Sequence, residues 1–219
     1  NFAKKNNILT YEHDPNIGGR FSIFSITALL PLISIGFNLK KITNSFNVAK
    51  KLFLKSHAKL SKNIFCSIGY EKKYNLNILV GLSYHDKIKS VNEWYRQIFA
   101  ESLGKNRHAK NYISSYGSID QHSQFQLYID GPYDKHFHFF KLNNKKNPIL
   151  SNSNLINGNN LINTLEEGAI KTLKQKKFLV TEISINDNFN DYCYLLIYLI
   201  FDIYLRSISE QINFLDQPA

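Results

Sequence analysis

Glu101 and His122 are the residues of this chain best suited to proton chemistry. Glu101 lies in Glu93-Trp94-Tyr95-Arg96-Gln97-Ile98-Phe99-Ala100-Glu101-Ser102-Leu103-Gly104-Lys105. Gln97 and Glu101 are four apart and share one face of a helix that Gly104 is placed to end. The helix dipole gives no stabilisation to a carboxylate at that end, which suits a proton-transfer base. Spacing alone leaves a plainer alternative open: an i,i+4 ion pair between Glu101 and Lys105 on a solvated face. His122 sits in Asp120-Gln121-His122-Ser123-Gln124. Histidine is the side chain that ordinarily titrates nearest neutrality, and amide and hydroxyl neighbours can orient it as an acid or base; a purely structural histidine is the competing reading.

Ile17-Gly18-Gly19-Arg20 offers a different chemistry. Paired glycines allow close backbone approach and bare N–H donors, and Arg20 adds a fixed, forked positive charge. Such a loop is expected at the C-terminal end of a strand, opening a helix, where α/β folds bind ligands. His136 and His138 are two apart and share one side of a strand. Without a third ligand they do not make a metal site, and an exposed strand face is expected there. Cys66 and Cys193 form neither a disulfide framework nor a zinc site, which points to a reducing cytoplasmic compartment.

The elements that must position these groups alternate. A short strand at 8–11 runs into the Gly-Gly-Arg loop, and Ser22 or Ser25 caps an apolar helix containing Pro31. Helices are expected over 44–60, 91–102, 161–175 and 191–205, and strands over 78–82, 136–142 and 178–185. Residues 125–129 read as a helical turn or a strand, and 143–160, rich in Asn, Ser and Lys, as the main insertion. Strands alternating with helices predict a three-layer α/β/α sandwich with a mostly parallel sheet. The 43% hydrophobic and 20% charged composition excludes a disordered chain.

The net charge of +10 comes from lysines spread along the chain, with no basic and aromatic cluster of the kind that binds nucleic acid. The apolar runs 23–37 and 192–205 fall short of the ~20 residues of a spanning helix, so no membrane association is expected. The chain begins at Asn1 and holds no Met, as expected of an internal fragment.

Four ordered motifs resemble the C-terminal sugar-isomerase (SIS-type) domain of the glucose-6-phosphate isomerase family, in its bacterial form. They are Asn16-Ile17-Gly18-Gly19-Arg20-Phe21-Ser22 with Leu30-Pro31, Ala100-Glu101-Ser102-Leu103-Gly104-Lys105, Asp120-Gln121-His122-Ser123-Gln124, and Asn213-Phe214-Leu215-Asp216-Gln217-Pro218-Ala219. The resemblance implies an aldose–ketose isomerase that interconverts glucose 6-phosphate and fructose 6-phosphate through an enediolate, with no metal or organic cofactor. It implies Glu101 as the carbon base, His122 as the ring-opening group reaching the site of the neighbouring subunit in a homodimer, and Arg20 as the electrostatic stabiliser. Gln97, Gly19 and Gln217 are implied to contact substrate.

The resemblance also implies that residues 1–219 are one domain, lacking the preceding phosphate-binding domain and a lysine soon after Gln217, and inactive alone. Leu215 and Ala219 stand where the family has Phe and Gly. The other reading is a non-catalytic sugar-phosphate-binding domain of a regulator, which would have no need of Glu101.

Overall fold

The computed structural model describes residues 2–105, 107, 109–143 and 158–216. In chain order the elements are α1 (Phe2–Lys5), a 3₁₀ helix (Gly19–Phe24), α2 (Ile26–Ser34), α3 (Leu39–Lys73), β1 (Ile78–Ser83) and α4 (Asp86–Leu103). They continue with β2 (Asn111–Tyr116), α5 (Gly117–Ser123), α6 (Phe125–Asp130), β3 (Lys135–Asn143), α7 (Gly158–Gln175), β4 (Leu179–Asn186) and α8 (Phe189–Glu210). The four strands form one parallel sheet in the order β2-β1-β3-β4.

Alternation along the strands builds the layers. Leu79, Phe140 and Leu142 face one side and pack against Tyr95 and Phe99 of α4 and Leu195, Leu199 and Ile203 of α8. Val80, Leu82, Phe137 and Phe139 face the other side, against Tyr128 of α6 and Ala169, Ile170 and Leu173 of α7. Both faces of the central strands are therefore covered, as parallel crossovers require. Gly81 lets the first layer close: a Cβ there would lie 1.9 Å from Tyr112 Oη and 2.4 Å from Asn92 Oδ1. Asn92 uses that space to donate to Gly81 O at 2.7 Å.

Three of the long helices, α3, α7 and α8, end in the same way. Asn75, Lys177 and Gln211 take left-handed φ values of 54°, 65° and 54°. Leu76, Phe178 and Ile212 then donate back to Glu71 O, Leu173 O and Ser207 O, closing Schellman caps without glycine. Ser25 caps α2 by accepting from Thr27 N, and Pro31 lies inside that helix.

Several expectations are corrected. Residues 8–11 form no strand; Ile8 N donates back to Ala3 O at 2.9 Å, and Leu9 is 76% exposed. β2 stands where no strand is expected from the sequence, an edge strand whose Asn-Tyr-Ile-Ser-Ser-Tyr run carries few apolar side chains. His136 and His138 are buried rather than exposed, because β3 is interior to the sheet. α8 is 22 residues, longer than its apolar run, and by length and composition could cross a membrane. It packs instead on the sheet and on α3, with Asp202 and Arg206 buried. Residues 144–157, most of the expected insertion, lie outside the described residues.

Candidate active site

Arg20 sits at the start of the 3₁₀ helix with its side chain only 6% exposed. Nη1 donates to Glu101 O (2.9 Å), Ser102 Oγ (3.0 Å) and Phe214 O (3.1 Å). Nη2 donates to Leu215 O and Asp216 O, both at 3.1 Å. Neutral main-chain carbonyls thus fix the guanidinium plane without cancelling its charge. The acidic side chain beside it is Glu101, with Oε2 4.0 Å from Arg20 Nε, and Gln97 Nε2 donates to Glu101 Oε1 at 2.9 Å. Gly19, Arg20, Trp94, Gln97, Ile98 and Glu101 line one cavity of about 390 Å³. A Cβ on Gly18 or Gly19 would meet nothing within 4 Å, so the backbone there is open to an approaching molecule.

Lys105 does not pair with Glu101 as the i,i+4 alternative would have it. Its Nζ donates to Asn213 O at 2.8 Å and also to Asp216 O. Burial, then the nearby Arg20 guanidinium, lowers its pKa below the usual lysine value. Residues 213–216 are drawn in between α4 and the 3₁₀ helix. Phe214 packs edge-on against Phe21 at 5.4 Å and Tyr204 at 5.8 Å, and Leu215 N donates to Asn213 Oδ1 at 3.1 Å.

The position of this cavity on the sheet departs from expectation. α4 leaves the C-terminal end of β1 and runs back, so Glu101 in its last turn lies at the N-terminal edge of the parallel strands. α8 returns the same way and delivers residues 213–216 there. The Gly-Gly-Arg loop therefore meets Glu101 at the sheet's N-terminal edge, and among the described residues no strand precedes it.

His122 is on α5, directly after β2, at the opposite edge. It is exposed and has no hydrogen-bond partner among the described residues. Asp120 shapes this turn by accepting from Ser115 Oγ (2.8 Å) and Tyr116 N (2.7 Å), while Tyr84 donates to Gln121 Oε1 at 3.1 Å. The length of α4, roughly 27 Å at 1.5 Å per residue, separates the two ends. Glu101 and His122 of one chain do not share a site. Gln217 lies outside the described residues.

Local sequence reading also missed a buried ionic network between the sheet and helices α3, α4 and α8. Arg206 donates to both oxygens of Glu71, at 2.9 and 3.2 Å, and to Asp202 Oδ2 at 2.7 Å. His136 Nδ1 contacts Glu71 Oε1 at 2.7 Å, Lys110 Nζ is 3.5 Å from Glu71 Oε2, and Tyr95 donates to Asp202. Burial alone would raise the Glu71 pKa; Arg206 and His136 outweigh it and hold the carboxyl well below the usual range. Burial holds His136 and His138 below the usual histidine value.

Glu71, His136 and His138 bring three possible metal-ligand atoms within 4.8 Å of one another, the third ligand coming from α3. Arg206 and Lys110 already balance the carboxylate, so a cation would have to displace them; the cluster fits an internal ion-pair network. The only sequence signal for it was Asp202 and Arg206, four apart within an apolar helix. A second cavity of about 350 Å³, lined by Thr181, Tyr194, Tyr198 and the edge of this network, opens beside β4.

No family model matches the chain. It is 28% identical over 99% of its length to a probable glucose-6-phosphate isomerase of Methanococcus maripaludis, covering 52% of that protein. It is 38% identical over 61% of its length to the glucose-6-phosphate isomerase of Methanocaldococcus jannaschii, covering 34% of it. With that of Campylobacter jejuni it shares 34% identity over 78% of its length, covering 45% of that enzyme. The chain thus spans between a third and about half of the length of these curated relatives.

Among solved structures, a hypothetical protein of Thermus thermophilus superposes on all of the chain with TM-score 0.81 at 21% identity, the chain covering 56% of it. A glucose-6-phosphate isomerase of Chlamydia trachomatis superposes on 94% with TM-score 0.72 at 18% identity, with 46% of it covered. At those identities the structures speak for the fold, and the sequence relatives for the family. The chain is similar in sequence to these glucose-6-phosphate isomerases over 61–99% of its own length.

Proposed function

We propose that this chain is the SIS-type sugar-isomerase domain of a longer, soluble cytoplasmic enzyme that interconverts glucose 6-phosphate and fructose 6-phosphate. The observation that carries the reading is the Arg20 guanidinium, fixed by carbonyls and held 4.0 Å from the Glu101 carboxylate in one cavity with Gln97. In the open-chain sugar, Glu101 takes the proton from C2 and returns it to C1 while the O2 hydroxyl proton passes to O1, moving the carbonyl from C1 to C2; the ketose runs the reverse. The enediolate formed between these steps is an anion. A guanidinium already oriented and largely stripped of solvent stabilises it without reorganising, and such preorganised electrostatics supply much of enzymatic rate enhancement.

Gln97, the Gly19 backbone and Gln217 contact the sugar. The phosphate grip and a further lysine come from parts of the protein outside this chain. His122 opens the ring in the neighbouring subunit of a homodimer. The separation of His122 and Glu101 by the length of α4 supports that division, since neither can reach the other within one subunit.

Glu101→Gln tests the base. In the full-length protein, turnover of glucose 6-phosphate should fall ~10²–10⁴-fold with the fold intact. Turnover within about tenfold of the unsubstituted enzyme would show that the proton moves by another group.

A further inference from the structure

We propose that Lys105 is a positioning residue: its ammonium clamps residues 213–216 against the end of α4 and thereby fixes the orientation of Arg20. The inference rests on the proposed role of Arg20. Three of the five acceptors of that guanidinium are carbonyls of Phe214, Leu215 and Asp216. These residues belong to neither a helix nor a strand. They follow the left-handed cap at Gln211, so their position is not set by main-chain pairing to an element.

Lys105 supplies the missing constraint, donating to carbonyls at both ends of the segment, Asn213 O at 2.8 Å and Asp216 O. Asp216 O is shared: it accepts from Lys105 Nζ and from Arg20 Nη2. Two cations therefore converge on one carbonyl oxygen, and each keeps it turned toward the other. Within the segment, Asn213 Nδ2 donates to Asp216 Oδ1 at 2.8 Å and closes the turn. This closure shapes the turn, whereas the Lys105 bonds tie it to α4.

Hydrogen bonds with an ionised donor are roughly twice as strong as neutral ones. Losing two of them frees the segment and, with it, three acceptors of Arg20.

The test compares Lys105→Met, Lys105→Arg, Arg20→Ala and the Lys105→Met/Arg20→Ala pair in the full-length protein. Misplacing a catalytic group by about 1 Å costs on the order of 10²-fold, so Lys105→Met should lower kcat about 10–100-fold while KM moves less than about threefold. Lys105→Arg, which can still donate to both carbonyls, should restore most of the loss. In the Arg20→Ala background, Lys105→Met should cost nothing further, because a residue acting through Arg20 has nothing left to position. A kcat within about threefold of the unsubstituted enzyme, or a loss equally large with and without Arg20, overturns the proposal.

If the unsubstituted protein has no isomerase activity, the proposed function fails, and hydrogen exchange reads the clamp by itself. The amides of Ile212 and Leu215, which donate to Ser207 O and Asn213 Oδ1, should then exchange about tenfold faster in Lys105→Met and at the original rate in Lys105→Arg. Equal rates in all three proteins overturn the clamp.

Discussion

Replacing Glu166 by Gln should stabilise this protein at pH 8 and leave it nearly unchanged at pH 4.5. Glu166 lies on the sheet side of α7, 2% exposed, and its Oε1 has no hydrogen-bond partner among the described residues. Burial raises its carboxyl from 4.5 to about 7; Lys141 opposes the change, and Glu167 and Glu182 add to it. The folded pKa is thus above the unfolded one. Between pH 4.5 and about 7 the unfolded chain ionises first, so stability falls as pH rises through that window. Above it both states are ionised and the full penalty remains.

At about 1.4 kcal/mol per pH unit the penalty is roughly 3 kcal/mol. Glutamine keeps the volume and a neutral polar head, so it matches the protonated acid and escapes the penalty. For a domain of this size 1 kcal/mol moves Tm by about 2–4 °C. Glu166→Gln should therefore melt about 6–12 °C higher than the parent at pH 8, and within about 2 °C of it at pH 4.5. Circular dichroism melts of both proteins across pH 4.5–8 measure the divergence. A constant difference at all pH values, or a lower Tm for the variant at pH 8, would refute a desolvated carboxylate at this position.

Complementation tests the division of the active site. If His122 serves the neighbouring subunit, mixing inactive Glu101→Gln and His122→Asn subunits should restore about a quarter of full activity, since half the dimers are mixed and each has one intact site; no recovery on mixing would place both residues in one subunit's site. Glu71→Gln should cost about 3–5 kcal/mol at neutral pH by leaving Arg206 short of a partner. Because the Glu71 pKa is depressed, that cost should shrink as pH falls below 4.5, which urea unfolding at several pH values can follow. Gly81→Ala drives a methyl group into Tyr112 Oη and Asn92 and should lose about 1–3 kcal/mol, read as a lower urea midpoint at unchanged slope.

What was legible in the sequence is the part fixed by local periodicity and local chemistry. The apolar run of β1, the helical face joining Gln97 to Glu101, and the strand–helix alternation all depend on residues within a few positions of one another. They gave the parallel three-layer class and the carboxylate's place near a helix end. β2 stayed hidden because an edge strand buries little apolar surface and so carries little periodic signal. Residues 8–11 misled for the opposite reason, a β-prone run with no neighbouring strand to pair with.

The fold alone decided the rest. Arg20 meets Glu101 across 81 positions and Phe214 across 194, and Arg206 meets Glu71 across 135. No window along the chain contains such pairs; they exist because antiparallel return helices bring distant termini to one edge of the sheet. The same geometry sends His122 to the other edge, which spacing along the chain could not foresee. It also turns Lys105 away from Glu101 toward the carbonyls of Asn213 and Asp216. The sequence by itself determined which chemical groups this protein carries. The crossing direction of its helices decided which of them stand together.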